Sequence, residues 1–252
     1  MSFGSLQGQR IVITGSSSGI GRAIALECAA AGADIVVHCH RSLRQAHEVA
    51  DAAGQHGVQA LVLAADLSSA AQQQEFARAC FESGPVTAIV NNAGADLLTT
   101  PLRDATFSQK LLLLLQTDVT ATIELSRIFG GRFRESGGGS VLNVGWDQAD
   151  RGMEGDSGEL FAAAKNAVMG FTRSLALSLA PQVRVNCVAP GWIRTAWGAG
   201  AGEYWQQRVV SETPLRRWGE PQDIASLARF LLSDQSSYIT GQVINVNGGA
   251  VR

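Results

Sequence analysis

The chain is poor in tyrosine, with only Tyr204 and Tyr238 among its 252 residues, and aromatic residues make up 6% of it. Charged residues account for 17%, and the net charge is −2. No basic surface of the kind that binds nucleic acid or anionic membranes is therefore predicted. The two tyrosines also limit the number of phenolic hydroxyl groups that can act as proton donors.

Cysteine is rare as well, and the four residues form no CxxC pair; they are Cys28, Cys39, Cys80 and Cys187. No His/Cys group has zinc-site spacing, so no metal is expected. The longest leucine run, Leu111–Leu115, is far shorter than the roughly 20 residues of a membrane-spanning helix, and residues 1–10 lack the apolar stretch of a signal peptide. Unpaired cysteines are typical of a reducing compartment, so we expect a cytoplasmic protein.

Short β-branched runs alternate with helical patterns along the whole chain. The predicted strands are 10–14, 34–38, 60–64, 87–90, 140–144, 183–188 and 242–246. The predicted helices are 20–31, 43–55, 70–82, 107–133, 160–179 and 221–232, and Gly198–Gly202 is predicted to be a loop. The alternation predicts an α/β protein with a doubly wound parallel sheet, a Rossmann fold with helices on both faces. No linker or repeat interrupts it, so one domain should span residues 1–252.

A glycine-rich segment follows the first predicted strand and leads into the first predicted helix. It runs from Thr14 to Gly21 and reads TGSSSGIG. Glycine permits the tight turn and the close approach of a pyrophosphate, and the helix N-terminus supplies free N–H groups. This strand–loop–helix context predicts a dinucleotide-binding site.

The spacing TGxxxGIG resembles the short-chain dehydrogenase/reductase family, and further segments resemble its motifs in order. These are Asp66-Leu67 beside the adenine, the NNAG segment 91–94, the PGxxxT segment 190–195 at the nicotinamide, and the C-terminal segments 239–242 and 247–249. The resemblance covers roughly residues 8–249. It implies a nicotinamide cofactor held by Gly15, Ser17, Ser18, Gly19, Ile20, Gly21, Asp66, Leu67, Asn91, Asn92, Ala93, Gly94, Lys165, Pro190, Gly191, Ile193 and Thr195.

The segment after the second strand indicates which cofactor is bound. NAD-binding folds place a carboxylate there for the ribose 2′-hydroxyl, but this chain has His38-Cys39-His40-Arg41-Ser42. Arginine and serine suit a 2′-phosphate, and the segment resembles the NADP-binding segment of pteridine reductases. We expect NADP(H), with His38, Arg41 and Ser42 as binding residues. The alternative is that Arg41 and Ser42 only cap the following helix.

The catalytic segment departs from the resemblance. The family uses a tyrosine four residues before a lysine, and the matching residues here are Phe161 and Lys165. Phe161 has no hydroxyl group with which to transfer a proton. Trp146 occupies the position of the family's serine, and Asp118 that of its asparagine. Lys165 is expected to hold the nicotinamide ribose, although a reactive amine of lowered pKa is an alternative.

Another side chain, or water, must then supply any proton that the reaction needs. The segment between Trp146 and Phe161 is rich in acids, and Asp147 and Glu159 are the candidates, since a desolvated carboxyl group can act as an acid. Arg151 could set the charge state of Asp147. Tyr204 is a further candidate, in a region that resembles the family's substrate loop. The simpler interpretation is that these acids form a solvated loop.

The sequence therefore predicts an NADP(H)-dependent oxidoreductase with an atypical proton donor, acting on a small-molecule carbonyl, imine or activated alkene. Two alternatives remain open: a non-catalytic NADP(H)-binding protein, or a lyase or isomerase that uses the same cleft. The resemblance also implies a homo-oligomer, a dimer or tetramer, paired through the predicted helices 107–133 and 160–179. Neither a nucleic-acid nor a membrane partner is expected.

Overall fold

A computed structural model describes residues 3–251, which contain a parallel sheet of seven strands. The sheet order is β3-β2-β1-β4-β5-β6-β7. The strands are β1 (Arg10–Ile13), β2 (Asp34–Cys39), β3 (Ala60–Ala64), β4 (Ala88–Asn91), β5 (Gly139–Val144), β6 (Val183–Pro190) and β7 (Val243–Val246). The central strands are buried on both faces, which explains their continuous apolar, β-branched sequences.

Helices cover both faces of the sheet. They are α1 (Gly19–Ala30), α2 (Leu43–Gly54), α3 (Ala70–Glu82), α4 (Phe107–Leu114), α5 (Ala121–Glu135), α6 (Asp156–Leu179), α7 (Ala196–Gly200), α8 (Glu203–Glu212) and α9 (Pro221–Leu232). Buried side chains of α1, α2 and α9 form one core cluster against the sheet, and those of α3, α5 and α6 form another. The predicted doubly wound Rossmann fold is confirmed.

The helix predicted over 107–133 is interrupted by a π-helical segment. The six residues Leu115–Thr120 have π-helical hydrogen bonding and join α4 to α5. The wider π turn changes the direction of the side chains that follow it, and such segments often occur at functional sites. Asp118 lies in this segment and is almost completely buried.

The loop prediction for Gly198–Gly202 is partly wrong, because Gly198, Ala199 and Gly200 end helix α7 and only residues 201–202 connect α7 to α8. Glycine content predicted a loop, but aromatic packing decides the local structure. Ring centroids lie 5.5–6.3 Å apart in a cluster of four indole side chains. This tryptophan cluster consists of Trp192, Trp197, Trp205 and Trp218.

A buried polar network fixes α5 and α6 against the centre of the sheet. Asn91 donates to Ser126 Oγ and to Asn143 Oδ1, both at 2.9 Å, and Asn143 donates to Thr172 Oγ1 at 2.9 Å. Buried polar groups bonded in this way favour one arrangement of the elements around them. The side chain of Asn91 therefore lies in the core, not at the cofactor surface that the resemblance implied.

No helix within residues 3–251 has both the length and the apolar character needed to cross a membrane. The four cysteines are buried and carry free thiols. Tyr238, by contrast, is fully exposed.

Candidate functional site

The glycine-rich loop lies at the carboxyl ends of β1 and β4, where one hydroxyl group and one side-chain amide anchor it. The Thr14 hydroxyl accepts the N–H groups of Asn92 and Ala93, each at 3.0 Å. The Asn92 amide donates to the carbonyls of Thr14 and Gly15 at 3.0 and 3.1 Å. The side chain of Asn92 thus fixes the conformation of the loop, and the backbone of Ala93 bonds to it through the Thr14 hydroxyl.

The loop leaves no room for a side chain at its closest approaches. A Cβ atom on Gly21 would overlap the carbonyl oxygen of Gly15, and one on Gly15 would lie 2.8 Å from Ala93 Cα. Ser18 begins α1 without a side-chain cap, and no acidic residue stands in the first turn of that helix. The free N–H groups and the helix dipole therefore favour an anion here. These residues fit the pyrophosphate of a dinucleotide.

His38 is enclosed beneath the glycine loop. Its Nδ1 accepts the N–H of Gly15 at 3.0 Å, and its Nε2 lies 3.1 Å from the carbonyl oxygen of Ala65. Burial lowers the pKa of the imidazole to about 4, so the ring is neutral near pH 7. His38 supports the backbone of the loop and does not present a positive charge to a phosphate.

The residues that follow β2 form an exposed cationic corner without a carboxylate of their own. His40, Arg41 and Ser42 are all exposed, and Ser42 makes no capping hydrogen bond to α2 although it stands at the N-cap position. His40 Nε2 lies 3.8 Å from Asp66 Oδ2. Hydrogen bonds from the Ser68 hydroxyl and N–H hold the pKa of Asp66 below its usual range.

Leu67, predicted at the cofactor with Asp66, has its side chain in the core on the α3/α5/α6 face.

The predicted nicotinamide segment follows β6. The methyl group of Thr195 would lie 3.6 Å from a Cβ atom on Gly19, so the segment closes on the glycine loop. The Ile193 side chain is buried towards Gly219, so Ile193 can offer a cofactor only its backbone.

Lys165 is paired with a buried carboxylate. Its Nζ lies 3.0 Å from Asp118 Oδ2, and the side chains are 13% and 2% exposed. Asp118 Oδ1 accepts the N–H of Ala95 at 2.8 Å. The π-helical segment thus places a carboxylate that ties the NNAG loop to the lysine of α6.

Aromatic rings line the space beside this ion pair. Phe161 lies one turn before Lys165 on α6, and so on the same face of the helix. Its ring meets Trp146 edge to face, with centroids 6.3 Å apart. Gly145 allows β5 to pass close to Cys187 and Met169 just before Trp146. No hydroxyl group stands at either aromatic position.

Asp147 is the buried acid of the segment after β5, with 2% of its surface exposed. Its Oδ2 accepts from Asn247 Nδ2 at 3.0 Å, whereas its Oδ1 has no partner among the described residues. A Cβ atom on Gly191 would lie 3.1 Å from Oδ2. Burial raises the pKa of this carboxyl group to about 6, although the bond from Asn247 opposes the change.

The other two acid candidates lie elsewhere. Glu159 is exposed on α6, and it lies two positions before Phe161, which corresponds to a rotation of about 200° around the helix. Tyr204 is 65% exposed on α8, where it contacts Trp205 and its hydroxyl lies 3.4 Å from Arg208 Nη1. Within residues 3–251, neither forms a hydrogen bond or ion pair with Lys165.

Two features of the site were not predicted from the sequence. One is the Asp118–Lys165 ion pair, although Asp118 was placed near the site; the other is the bond from Asn247 to Asp147. The ion pair could have been found from the sequence, because Asp118 occupies the position of the family's asparagine and Lys165 that of its lysine. Nothing in the sequence links Asn247 to Asp147, which are 100 residues apart.

Comparisons with known proteins agree with this geometry. The family model described as "Enoyl-(Acyl carrier protein) reductase" matches residues 15–251. A short-chain type dehydrogenase/reductase of Picea abies is 34% identical over 255 residues, which cover 98% of this chain and 93% of that protein. The chain belongs to the short-chain dehydrogenase/reductase family.

Solved structures of the family show the same fold. A 7α-hydroxysteroid dehydrogenase in complex with NADH and 7-oxo glycochenodeoxycholic acid has a TM-score of 0.88 and 31% identity, with 98% of this chain and 96% of that chain covered. A chain from Beutenbergia cavernae with bound NADP also has a TM-score of 0.88, at 33% identity and 99% coverage of both chains. The protein is thus an oxidoreductase-type chain of a family that binds nicotinamide cofactors.

Proposed function

We propose that this protein is an NADP(H)-dependent oxidoreductase whose active site has lost the hydroxyl pair of its family. The observation that carries the proposal is the intact cradle around Gly15, Gly21 and the uncapped N-terminus of α1. Lys165 is tied through Asp118 to the NNAG loop that follows β4. NADPH, when bound, supplies a hydride. The chain's own part is to hold the pyrophosphate at the loop and the ribose hydroxyls at the ammonium of Lys165.

The preference for NADP(H) rests on charge at the end of β2. Arg41 is exposed and forms no ion pair within residues 3–251, so its five donors are free for a 2′-phosphate. The Ser42 hydroxyl is also free of a capping bond. The segment that ends β2, His38 to Ser42, has no carboxylate of its own to select the ribose 2′-hydroxyl of NAD.

Asp147 is the proposed acid for substrates that must gain a proton. Its raised pKa of about 6 keeps part of the population protonated near neutral pH, and the buried Oδ1 has no hydrogen-bond partner among residues 3–251. Glu159 and Tyr204 lack both the burial and the contact with the PG segment that Asp147 has. Lys165, already paired with Asp118, serves binding rather than proton donation.

The test of the cofactor assignment compares NADPH and NADH in binding titrations. Wild-type protein should bind NADPH at least tenfold more tightly than NADH, and Arg41→Ala should lose that preference. Arg44→Ala removes an exposed arginine from the same helix region, paired there with Glu48, and should leave the ratio unchanged. Equal binding of the two cofactors by the wild type would refute the preference, and no binding of either would refute the function.

A second candidate function is non-catalytic binding of NADP(H). The replacement of both hydroxyl positions by Phe161 and Trp146 favours it. Turnover decides between the two, because oxidation of NADPH with any carbonyl or imine of a broad panel excludes a purely binding role.

We also propose a cytoplasmic homo-oligomer, a dimer or tetramer. The outer side of α4 carries Leu112, which is 58% exposed, and Leu115 of the adjoining π-helical segment is exposed too. Burial of such apolar surface against a second copy would stabilise the assembly by about 25 cal/mol per Å². Light scattering after size exclusion measures the state directly.

A further inference from the structure

An ion pair sets the charge at Lys165. Asp118 Oδ2 lies 3.0 Å from Lys165 Nζ, so the carboxylate compensates the positive charge of the ammonium. A neutral asparagine at position 118, as the family resemblance implies, would leave the lysine charge uncompensated. The centre of this chain is therefore more negative by one charge.

No hydroxyl group stands at position 146 or 161 to stabilise a developing anion. Reduction of a neutral carbonyl places negative charge on oxygen, and enzymes stabilise it with donors aimed at that atom. At the two positions where the family has hydroxyl donors, this chain has the aromatic rings of Trp146 and Phe161. Their π faces attract cations instead.

The segment between Trp146 and Phe161, called the acidic rim below, also favours positively charged ligands. Between Trp146 and Phe161 the chain carries five acidic residues and one basic residue, Arg151. Four of the acids are exposed at the start of α6 and the turn before it, namely Asp150, Glu154, Asp156 and Glu159. Arg208 of α8 pairs with one of them, Glu154, and the remaining charges raise the local concentration of cations.

From this juxtaposition of the neutralised Lys165, the ring pair Phe161 and Trp146, and the acidic rim, we propose that the substrate is a cationic iminium compound. The inference rests on the proposed function and names its substrate class. The hydride of NADPH forms a bond to the iminium carbon, and the carbon–nitrogen π pair becomes a lone pair on nitrogen. NADP⁺ and a tertiary or secondary amine result, and no proton is needed at this step.

The inference explains why a proton donor can be absent at position 161. The substrate loses its positive charge as hydride arrives, so the site needs no group to neutralise a developing anion. Asp118 acts through Lys165 and is a positioning residue, since it cancels a charge that would repel the substrate. Asp147 is then required only for a neutral imine, which must be protonated before reduction.

Binding of an unreactive cation tests the inference without turnover. The probe is N,N-dimethyl-1,2,3,4-tetrahydroisoquinolinium, and its neutral isostere is 2,2-dimethyl-1,2,3,4-tetrahydronaphthalene; both are titrated with and without NADPH, followed by tryptophan fluorescence. The wild type should bind the cation at least tenfold more tightly. Equal affinity for the two probes would overturn the inference, and it requires no variant.

Asp118→Asn supplies the matched test of charge. The variant leaves Lys165 positively charged and unpaired, so the preference for the cation should fall at least tenfold. Glu135→Gln removes an exposed carboxylate at the end of α5, the helix that continues from the π-helical segment of Asp118. This variant should keep the preference for the cation. Retained preference in Asp118→Asn, with NADPH binding and melting temperature close to wild type, would contradict the inference.

Turnover separates this inference from the proposed function. The 2-methyl-3,4-dihydroisoquinolinium ion should be reduced with a kcat/KM at least 100-fold above that of 1-tetralone, at a rate independent of pH between 6 and 9. Faster reduction of 1-tetralone would overturn the iminium inference and leave the oxidoreductase proposal intact. Failure to bind NADPH would refute the oxidoreductase proposal, while the cation titration without NADPH still tests the charge of the site.

Discussion

Replacement of Asp147 by asparagine should change how stability depends on pH. The folded protein holds this proton up to a pKa of about 6, whereas the unfolded chain releases it near 3.8. Between these values the folded state binds more protons than the unfolded state, so the free energy of unfolding falls as pH rises. Below about pH 4 and above about pH 6 the contribution is constant.

The magnitude follows from that window. One pKa unit corresponds to about 1.4 kcal/mol. The shift of about 2 units at Asp147 therefore lowers the free energy of unfolding by about 3 kcal/mol at pH 7 relative to pH 4. Asp147→Asn removes the charge and keeps an acceptor for Asn247. The new NH₂ group takes the place of Oδ1, which has no partner, and this costs about 1–3 kcal/mol at every pH.

The quantity to measure is the difference in unfolding free energy between Asp147→Asn and wild type, from denaturant titrations at pH 4.0, 5.0, 6.0 and 7.5. The difference should move in favour of the variant by about 3 kcal/mol across this range. Other titrating groups, His38 included, cancel in the difference. Asp150→Asn, which removes an exposed carboxylate from the same turn, is the matched control, and a difference for Asp147→Asn that does not change with pH would refute the assignment of a buried proton.

Three further predictions concern the cradle, the core and the surface. Gly21→Ala should weaken NADPH binding at least tenfold by calorimetry, because the added methyl group overlaps the carbonyl of Gly15; unchanged affinity would show that the loop is not the cofactor cradle. Asn143→Ala should lower the unfolding free energy by about 2–4 kcal/mol, since it removes the buried bonds that Asn143 forms with Asn91 and Thr172, and a loss below about 0.5 kcal/mol in a denaturant titration would contradict this. Leu112→Glu should shift the mass in light scattering towards a monomer, whereas an unchanged oligomer would place the interface elsewhere.

Local signals were sufficient for most elements of the fold. The bounds of β3, α3 and α9 were predicted to the residue, and α9 illustrates the reason. Glu220 and Asp223 form a capping box around Pro221, which begins the helix. Helices α7 and α8 were missed because their stability comes from the tryptophan cluster, whose members are spread over 27 residues of sequence and meet only in the folded chain.

The acid candidates show where sequence patterns stop being informative. Asp147 and Glu159 looked equivalent while α6 was predicted to begin at Leu160. The helix begins at Asp156, so Glu159 is helical and exposed, on a side of α6 that Phe161 does not share. Asp147 precedes the helix and is buried against a segment 100 residues later. Helix phase and long-range burial, neither of which is a local property, separate the two carboxylates.

The Asp118–Lys165 pair connects the fold to the proposed chemistry. An isolated buried charge is costly, and the ammonium of Lys165 and the N–H of Ala95 offset that cost for the carboxylate of Asp118, which is 2% exposed. The π-helical segment is what brings the carboxylate to both partners, because its wider turn rotates residue 118 inwards. The same pairing that offsets the cost of the buried carboxylate compensates the positive charge of Lys165. A site built in this way stabilises a substrate that arrives with positive charge and loses it, and gives no comparable help to one that gains negative charge.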